Sequence, residues 1–298
     1  MHRHFLAVSD LSRGELIALM DRASRMKGGE VLERPLAGKS IGLIFAKSST
    51  RTRVSFEVGA SRLGAHPVFL SVREIQLGRG EPMRDTARVL SRYLDAMVIR
   101  AYRHAEAVEL ARYASVPVIN GLTDLLHPCQ ILADLLTVRE ALGGWEGKIV
   151  AWVGDGNNVA NAWMDAAGVL GFELRLACPE GYEPNREIFE RAARTTRLSI
   201  TEEPEEAVAG AHVVTTDVWA SMGNEADAAG RRQAFQGYTV SSALLAQAAP
   251  GAIFLHCLPA HRGEEVTEEV LEGPQSRVWD EAENRMWTQM ALLELLLR

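Results

Sequence analysis

The sequence predicts an α/β protein made of two doubly wound parallel-sheet domains. Short apolar runs of strand length alternate with longer amphipathic segments, which is typical of βαβ units. The alternation occurs in two series, one in each half of the chain. With 298 residues, 47% of them hydrophobic, the chain is also long enough to form two domains with separate cores.

The elements of the first half begin with a helix. The stretch "SRGE", residues 12–15, has capping-box spacing and precedes the apolar-periodic "LIALMDRASRM". Apolar runs then predict four strands, at residues 41–46, 67–70, 96–99 and 116–119. A helix containing "ILADLLTV" follows the last of them and ends near "LGGWEGK".

The second half repeats this organisation. Its predicted strands lie at residues 149–153, 173–177, 212–215 and 253–255, with helix-like segments such as "ALLAQAA" between them. The last stretch, "EAENRMWTQMALLELLLR", has apolar residues at helical spacing. We therefore expect a first domain over residues 1–141 and a second over residues 142–280, with a final helix, residues 281–298, that packs back on the first.

Composition excludes several classes of protein. A net charge of −7 argues against a broad nucleic-acid or anionic-membrane surface, because such partners need a basic face. No apolar run reaches the roughly 18 residues of a membrane span, and "MHRHFLAVSD" lacks the pattern of a secretory signal. The three cysteines lack paired metal spacing, so neither a disulfide framework nor a zinc site is expected. We expect a cytoplasmic protein with free thiols.

The stretch "KSSTRTRVSFE", residues 47–57, predicts a phosphate site. It contains three cations and five hydroxyls and lies where the first strand turns into a helix, whose N-terminus favours anions. Arg51 and Arg53 are two residues apart and cannot face the same way on a helix, so we expect only Arg51 to bind the ligand. A solvated, capped helix start would explain one hydroxyl but not two arginines and several hydroxyls together. The glycines of a Walker loop are missing.

Two further features lie at the carboxyl ends of neighbouring predicted strands. Arg100 closes "DAMVIR", and "HPCQ", residues 127–130, follows "VPVIN". Each alone is more often structural. Because parallel strands end at one edge of their sheet, we expect both to reach the phosphate site. An arginine and a histidine aimed at one point suit an oxygen that gains negative charge, as at a carbonyl under nucleophilic attack.

In the second half, "GDGNNVAN" follows a strand and invites a dinucleotide-binding interpretation. The spacing fails, because Val159 occupies the position of the third glycine. Asp217 and Cys257 end two later strands; alone, one could be a helix cap and the other a small buried residue. The connection from Val218 to Gln236 is polar and long, which fits a binding loop or a surface insertion equally well.

Taken in order, "SSTRTR", "HPCQ", "GDGNN", "TDVWASMG", "HCLPAHRGEEV" and "EAENRMW" resemble the transcarbamoylase family across almost the whole chain. The resemblance implies that the first domain binds carbamoyl phosphate. The "SMG" and "HCLP" motifs imply ornithine rather than aspartate as the second substrate, with N-acetylornithine or putrescine as alternatives. Citrulline and phosphate would be the products. The resemblance also implies trimers or multiples of trimers, no metal and no organic cofactor.

The resemblance assigns site residues to each substrate, in a site where the domains meet. Those implied for carbamoyl phosphate are Ser49, Thr50, Arg51, Thr52, Gln76, Arg100, His127, Gln130 and Arg285. Those implied for ornithine are Asn158, Asp217, Ser221, Met222, Cys257 and Leu258. Catalytic roles are expected for Arg100, His127, Asp217 and Cys257.

Two other classes of protein fit parts of the pattern. A nicotinamide-dependent dehydrogenase fits the doubly wound fold but needs the glycine fingerprint that is missing here. A non-enzymatic anion-binding protein fits the phosphate site but leaves Asp217 and Cys257 without a role. A transferase accounts for both halves of the chain.

Overall fold

A computed structural model of the chain describes residues 3–220 and 228–298. The chain forms two compact units. The first comprises residues 1–133 and 284–298, and the second comprises residues 134–283. Among the described residues, no helix is long and apolar enough to cross a membrane.

The first unit contains a four-stranded parallel sheet in the order β2-β1-β3-β4. Its strands are β1 (Ser40–Phe45), β2 (His66–Ser71), β3 (Ala96–Arg100) and β4 (Val118–Leu122). Helices α1 (Arg13–Lys27), α2 (Thr50–Arg62), α3 (Met83–Leu90) and α4 (His104–Tyr113) accompany it. All four predicted strands are confirmed, with ends that shift by no more than three residues.

The predicted capping box at the first helix is confirmed. The Ser12 hydroxyl accepts the backbone N–H of Glu15 at 3.3 Å, and the Glu15 carboxylate accepts the backbone N–H of Ser12 at 2.9 Å. Two N–H groups that the helix leaves unpaired are thereby satisfied.

The second unit contains a five-stranded parallel sheet in the order β7-β6-β5-β8-β9. Its strands are β5 (Ile149–Val153), β6 (Glu173–Ala177), β7 (Leu198–Thr201), β8 (Val213–Thr216) and β9 (Ile253–His256). The edge strand β7 was not predicted. It has only four residues, two of them polar, and its Ile200 is 38% exposed, so it lacks a run of apolar residues.

The remaining helices complete the α/β pattern. They are α5 (Pro128–Leu142), α6 (Asn158–Leu170), α7 (Arg186–Ala192), α8 (Pro204–Val208), α9 (Ala228–Ala234), α10 (Ser242–Leu245), α11 (Glu268–Leu271) and α12 (Val278–Leu297). The final helix was predicted and is confirmed, although it begins at Val278, before the predicted start at 281. The domain boundaries stay a prediction.

Each sheet has a point at which its strand order reverses. In the first unit this point lies between β1 and β3, and in the second it lies between β5 and β8. Ligands of open parallel sheets bind beyond the carboxyl ends of the strands at such a point. A ligand site in each unit is therefore expected among the residues that follow these four strands.

Candidate active site

The junction between β1 and α2 forms an anion-favouring helix start. Ser49 caps α2, and its hydroxyl accepts the backbone N–H of Thr52 at 3.2 Å. No acidic residue lies in the first turn, so the partial positive charge of the helix N-terminus is not neutralised there. Thr50 and Arg51 follow the cap directly. The sequence placed a phosphate site at this point, and the local geometry is consistent with one.

The two arginines of this stretch differ in their surroundings. The Arg53 Nε donates to a Glu57 carboxylate oxygen at 3.0 Å, and its guanidinium carbon lies 3.6 Å from the centroid of the Phe69 ring. Within the described residues, Arg51 has no ion-pair partner, and its charge acts on the imidazole of His127. Arg51 is therefore the cation that remains available to a ligand.

His127 is the point on which the positive charges of the first unit converge. Its side chain is buried, and burial is the main reason why its pKa lies well below the usual value. Positive charge lowers the pKa further, and it comes from three arginines: Arg285, Arg100 and Arg51. The imidazole is therefore neutral near pH 7, and its Nδ1 has no hydrogen-bond partner within the described chain.

A buried arginine links the helix start to the "HPCQ" motif. The Arg285 Nη1 donates to the Gln130 side-chain oxygen at 2.7 Å, and its Nη2 donates to the Thr52 hydroxyl at 2.9 Å. These contacts, the cap at Ser49 and the charge effects on His127 bring together seven of the nine residues assigned to carbamoyl phosphate. Thr50 is the first residue of α2 and adjoins them in sequence. Gln76 is exposed at the start of a short 3-10 helix, and no hydrogen bond of the described chain joins its side chain to Arg51 or His127.

The low pKa of His127 predicts an acid-sensitive contribution to stability. Below about pH 6.5 the unfolded chain binds a proton at this position that the folded chain does not. The free energy of unfolding should therefore fall as pH drops below that value, by up to about 1.4 kcal/mol per pH unit. Urea unfolding at pH 7.5, 6.5 and 5.5, at one protein concentration, should show a shallower decline for His127→Gln. Equal pH slopes for the two proteins would contradict the assignment.

In the second unit, Asp217 follows β8 and is the centre of a cluster. Its Oδ2 accepts an N–H of the Asn157 side chain at 2.8 Å, and its Oδ1 accepts the Cys257 thiol at 3.2 Å. Asn157 also caps α6, because its oxygen accepts the backbone N–H groups of Val159 and Ala160 at 2.8 and 3.2 Å. The same amide thus fixes the start of the helix and orients the carboxylate.

The turn that carries Cys257 is held by His256. The His256 Nδ1 accepts the backbone N–H of Leu258 at 2.9 Å, so its Nε2 bears the proton and donates to Glu265 at 3.1 Å. The Leu258-Pro259 bond is cis. Burial and nearby Asp217 raise the pKa of Cys257 well above its usual range, so the residue is a protonated thiol at neutral pH.

A buried ion pair lies next to this cluster. The Arg231 Nη1 donates to Asp155 Oδ2 at 2.8 Å, and both side chains are about nine-tenths buried. Burial raises the pKa of Asp155 to about 6; the positive charge of Arg231 works against this, and the negative charge of Asp217 adds to it.

The glycines of "GDGNN" have packing roles. A Cβ on Gly156 would lie 2.6 Å from the Tyr182 carbonyl oxygen and would overlap the backbone of Glu183 and Pro184. The Gly156 N–H donates to that carbonyl at 2.8 Å. Gly154 has a φ of +131°, which side chains rarely adopt. Together with the failed spacing, this removes the motif as support for a dinucleotide site.

Two groups among the described residues bring metal-ligating side chains together. They are Asp217 with His256 and Cys257, and His261 with Glu264 and Glu265. In the first group both ring nitrogens of His256 are already hydrogen-bonded and the thiol is protonated. In the second, the His261 Nδ1 lies 3.9 Å from each carboxylate, which is the spacing of a loose ion pair. Neither group argues for a resident metal.

The predicted ornithine residues stay predictions. Ser221 and Met222 lie outside the described residues. Asn158 is the first residue of α6, and the amide that contacts Asp217 is that of its neighbour Asn157. Sequence reasoning missed Asn157 and the pair of Asp155 and Arg231. The tandem asparagines were a sequence signal for Asn157, whereas no sequence feature indicates that Asp155 and Arg231 form a pair.

One parallel-sheet unit has a positively charged site suited to an anion. The other has a carboxylate and a thiol at the point where its strand order reverses. This arrangement defines an α/β group-transfer enzyme. Residues 3–140 match the carbamoyl-phosphate-binding domain of aspartate/ornithine carbamoyltransferases, and residues 146–296 match the aspartate/ornithine-binding domain. The chain therefore belongs to the aspartate/ornithine carbamoyltransferase family.

Relatives with a single name cover the full chain. An ornithine carbamoyltransferase of Geobacter sulfurreducens is 57% identical over 100% of both chains, and the anabolic ornithine carbamoyltransferase of Pseudomonas aeruginosa is 54% identical over 99% of this chain and 97% of its own. Among solved structures, the ornithine carbamoyltransferase of Pyrococcus furiosus is 47% identical with a TM-score of 0.94, covering 98% of this chain and 96% of its own.

Proposed function

We propose that this protein transfers the carbamoyl group of carbamoyl phosphate to the side-chain amine of L-ornithine, giving L-citrulline and phosphate. The observation that carries the proposal is the neutral His127 among the charges of three arginines, next to the capped start of α2. The full-length relatives, all named ornithine carbamoyltransferase, favour ornithine over the alternative amines.

Carbamoyl phosphate is assigned to the first unit. Its phosphate would bind Arg51, the first-turn N–H groups of α2 and the hydroxyls beside them, because a dianion is matched there by a guanidinium and a helix dipole. Arg100 and His127 would bind the carbamoyl oxygen. A neutral imidazole can donate one N–H to that oxygen without binding a proton from solvent. Gln130 and Thr52 would be held in place by Arg285.

Ornithine is assigned to the second unit. The α-ammonium needs a carboxylate, and Asp217 has lone pairs left after its contacts with Asn157 and Cys257. Asn158, Ser221 and Met222 are proposed for the remainder of the amino-acid end. The Cys257 sulfur and the Leu258 carbonyl are proposed to orient the side-chain amine.

The reaction requires a neutral amine, because an ammonium has no lone pair. The amine nitrogen attacks the carbamoyl carbon, and the oxygen that gains charge is stabilised by Arg100, His127 and Thr52. The bond from this carbon to the phosphate oxygen then breaks, and phosphate leaves among the arginines and can take the proton lost by nitrogen. Cys257 orients rather than attacks, because a protonated thiol is a poor nucleophile.

We further propose a cytoplasmic homotrimer, or a multiple of trimers, that works in arginine biosynthesis without a metal or organic cofactor. The resemblance to the transcarbamoylases supports the assembly. The free cysteines fit a reducing compartment. The biosynthetic direction is supported by the relative named anabolic.

The test is a substrate panel with the purified protein. Carbamoyl phosphate should carbamoylate ornithine at least about 100-fold faster than N-acetylornithine or putrescine, since each of these lacks a charge for which the site has a partner. Product formation is measured with and without a nicotinamide cofactor, which should have no effect. Faster turnover of either alternative amine would replace ornithine in the proposal, and no carbamoyl product with any amine would end it.

A further inference from the structure

We propose that Thr123 and His104 are positioning residues for the carbamoyl group: together they hold the turn that precedes His127 and tie it to the loop that follows Arg100. The inference rests on the proposed function of the chain and concerns two residues to which that function gives no role.

The turn before His127, residues 123–126, is closed by a buried threonine. Thr123 Oγ1 accepts the backbone N–H of Leu126 at 3.3 Å, and the Thr123 N–H donates to the Leu126 carbonyl at 3.0 Å. This carbonyl and the N–H of His127 belong to one planar peptide group. The contacts of Thr123 therefore also set the direction in which the backbone enters His127.

A histidine joins this turn to the neighbouring strand end. His104 is the first residue of α4, in the connection that follows β3 and Arg100. Its Nδ1 lies 3.0 Å from Thr123 Oγ1, and its backbone N–H donates to Asp124 Oδ1 at 2.7 Å. The Asp124 N–H in turn donates to the Tyr102 carbonyl at 3.2 Å. The loops next to the two residues assigned to the carbamoyl oxygen are thus fastened to each other.

The imidazole of His127 depends on this support from the backbone. The side chain is buried, and its Nδ1 has no hydrogen-bond partner within the described chain. The backbone is held on the far side as well, because the His127 carbonyl accepts the Gln130 N–H at 3.1 Å. Since Nδ1 gives the ring no anchor, the backbone on either side of His127 fixes the position from which the ring meets a carbonyl oxygen.

A shift of the 123–126 turn would therefore affect one end of carbamoyl phosphate more than the other. The imidazole would move away from the carbamoyl oxygen, and a displacement of about 1 Å can cost about 100-fold in rate. The phosphate is assigned to the start of α2, where the capping hydroxyl of Ser49 accepts the Thr52 N–H without help from Thr123 or His104.

Two pairs of substitutions isolate the polar contacts from the shape of the side chains. Thr123→Val removes the hydroxyl, and Thr123→Ser retains it. His104→Leu removes the ring nitrogens, and His104→Asn places an amide group close to the position of Nδ1. Thr196→Val is the matched control, because it removes a hydroxyl that donates to the Phe172 carbonyl at 2.7 Å in the second unit.

The experiment measures binding of two probes by isothermal titration. Inorganic phosphate reports the phosphate end alone, whereas phosphonoacetamide retains the amide and has a methylene in place of the bridging oxygen. Thr123→Val and His104→Leu should weaken phosphonoacetamide binding about tenfold, as for one lost hydrogen bond, and leave phosphate binding within about twofold. Thr123→Ser and His104→Asn should recover most of the loss. Thr196→Val should bind both probes like the unsubstituted protein.

A double variant tests whether the effect passes through His127. In the His127→Gln background, Thr123→Val should weaken phosphonoacetamide binding by less than about twofold, because the residue that it positions is already gone. In steady-state kinetics, kcat/KM for carbamoyl phosphate should follow the same pattern. A tenfold loss in both backgrounds, or equal weakening of the two probes, would overturn the inference.

Failure of the inference is distinguishable from failure of the proposed function. If the unsubstituted protein forms citrulline and Thr123→Val binds phosphonoacetamide normally, only the role given to Thr123 and His104 is wrong. If the unsubstituted protein forms no carbamoyl product, the proposed function fails first. Should Thr123→Val not fold, the two variants of His104 give the same comparison at a half-buried position.

Discussion

Replacing Arg51 with alanine is expected to lower kcat/KM for carbamoyl phosphate on the order of 1000-fold, the loss typical of a donor that stabilises charge in the transition state. Arg53→Ala should lower it by less than about tenfold, because the Arg53 side chain already contacts Glu57 and the Phe69 ring. Both changes remove one positive charge from the same helix turn. The difference in activity between the two variants therefore reports which side chain faces the ligand and not the change in net charge.

Stability should follow the opposite order. Arg53→Ala removes a part-exposed ion pair and a cation–π contact, each worth about 1 kcal/mol or less. Arg51→Ala removes neither kind of contact within the described residues, and it relieves repulsion among the arginines near His127. Steady-state kinetics and thermal unfolding of the two variants test both statements. Equal losses of activity would show that the two side chains are not distinguished as the structure indicates.

Asp217→Asn is expected to raise the KM for ornithine about 100-fold, as when a charged partner is lost, and to leave the KM for carbamoyl phosphate within about threefold. The substitution preserves shape but not function, because Asp217 accepts a hydrogen bond at each oxygen, from Cys257 and from Asn157. An amide has one oxygen and one NH₂ group. It must therefore face one of these donors with a donor of its own.

A second buried aspartate of the same unit serves as the control. Asp165 is paired with Arg191 at 2.9 Å, and Asp165→Asn should lower stability without changing the ratio of the two KM values. L-Norvaline has the amino-acid end of ornithine but no side-chain amine. Isothermal titration with it therefore measures binding of that end without turnover. Unchanged norvaline affinity in Asp217→Asn would mean that Asp217 does not bind the α-ammonium.

The sequence predicted most of the strands because they are buried. The predicted strands at 149–153 and 173–177 coincide with β5 and β6. The first is a continuous apolar run, and in the second the buried Leu174 and Leu176 alternate with half-buried Glu173 and Arg175. Helix α10 was predicted to be longer than it is. Tertiary pairing limits it, since the Ala249 N–H donates to the Ala211 carbonyl at 2.8 Å and the Gln247 carbonyl accepts from Gly210 at 3.0 Å. Such long-range competition leaves no trace in local periodicity.

The anion site was predictable for a different reason. Its residues are carried by strand ends and a helix start, and parallel strands bring their ends to one edge. Helical geometry indicated that only one of Arg51 and Arg53 binds the ligand, and the contacts of Arg53 with Glu57 and Phe69 distinguish the two. The contact between Arg231 and Asp155 joins residues 76 apart in sequence, and neither lies in a motif that predicts the other. The ion pair between Arg231 and Asp155 is apparent only in the folded chain, as is the hydrogen bond from Asn157 to Asp217.

The burial of the three cysteines limits the chemical reactivity of their thiols. Burial raises the pKa of Cys129 to about 12 and raises those of Cys178 and Cys257 as well. Electrophiles and oxidants attack the thiolate, and at neutral pH the folded chain has almost none. The thiol assigned to ornithine is thus kept in its protonated form, which reacts slowly with alkylating agents and peroxide. Its sulfur can guide an amine without becoming a target itself.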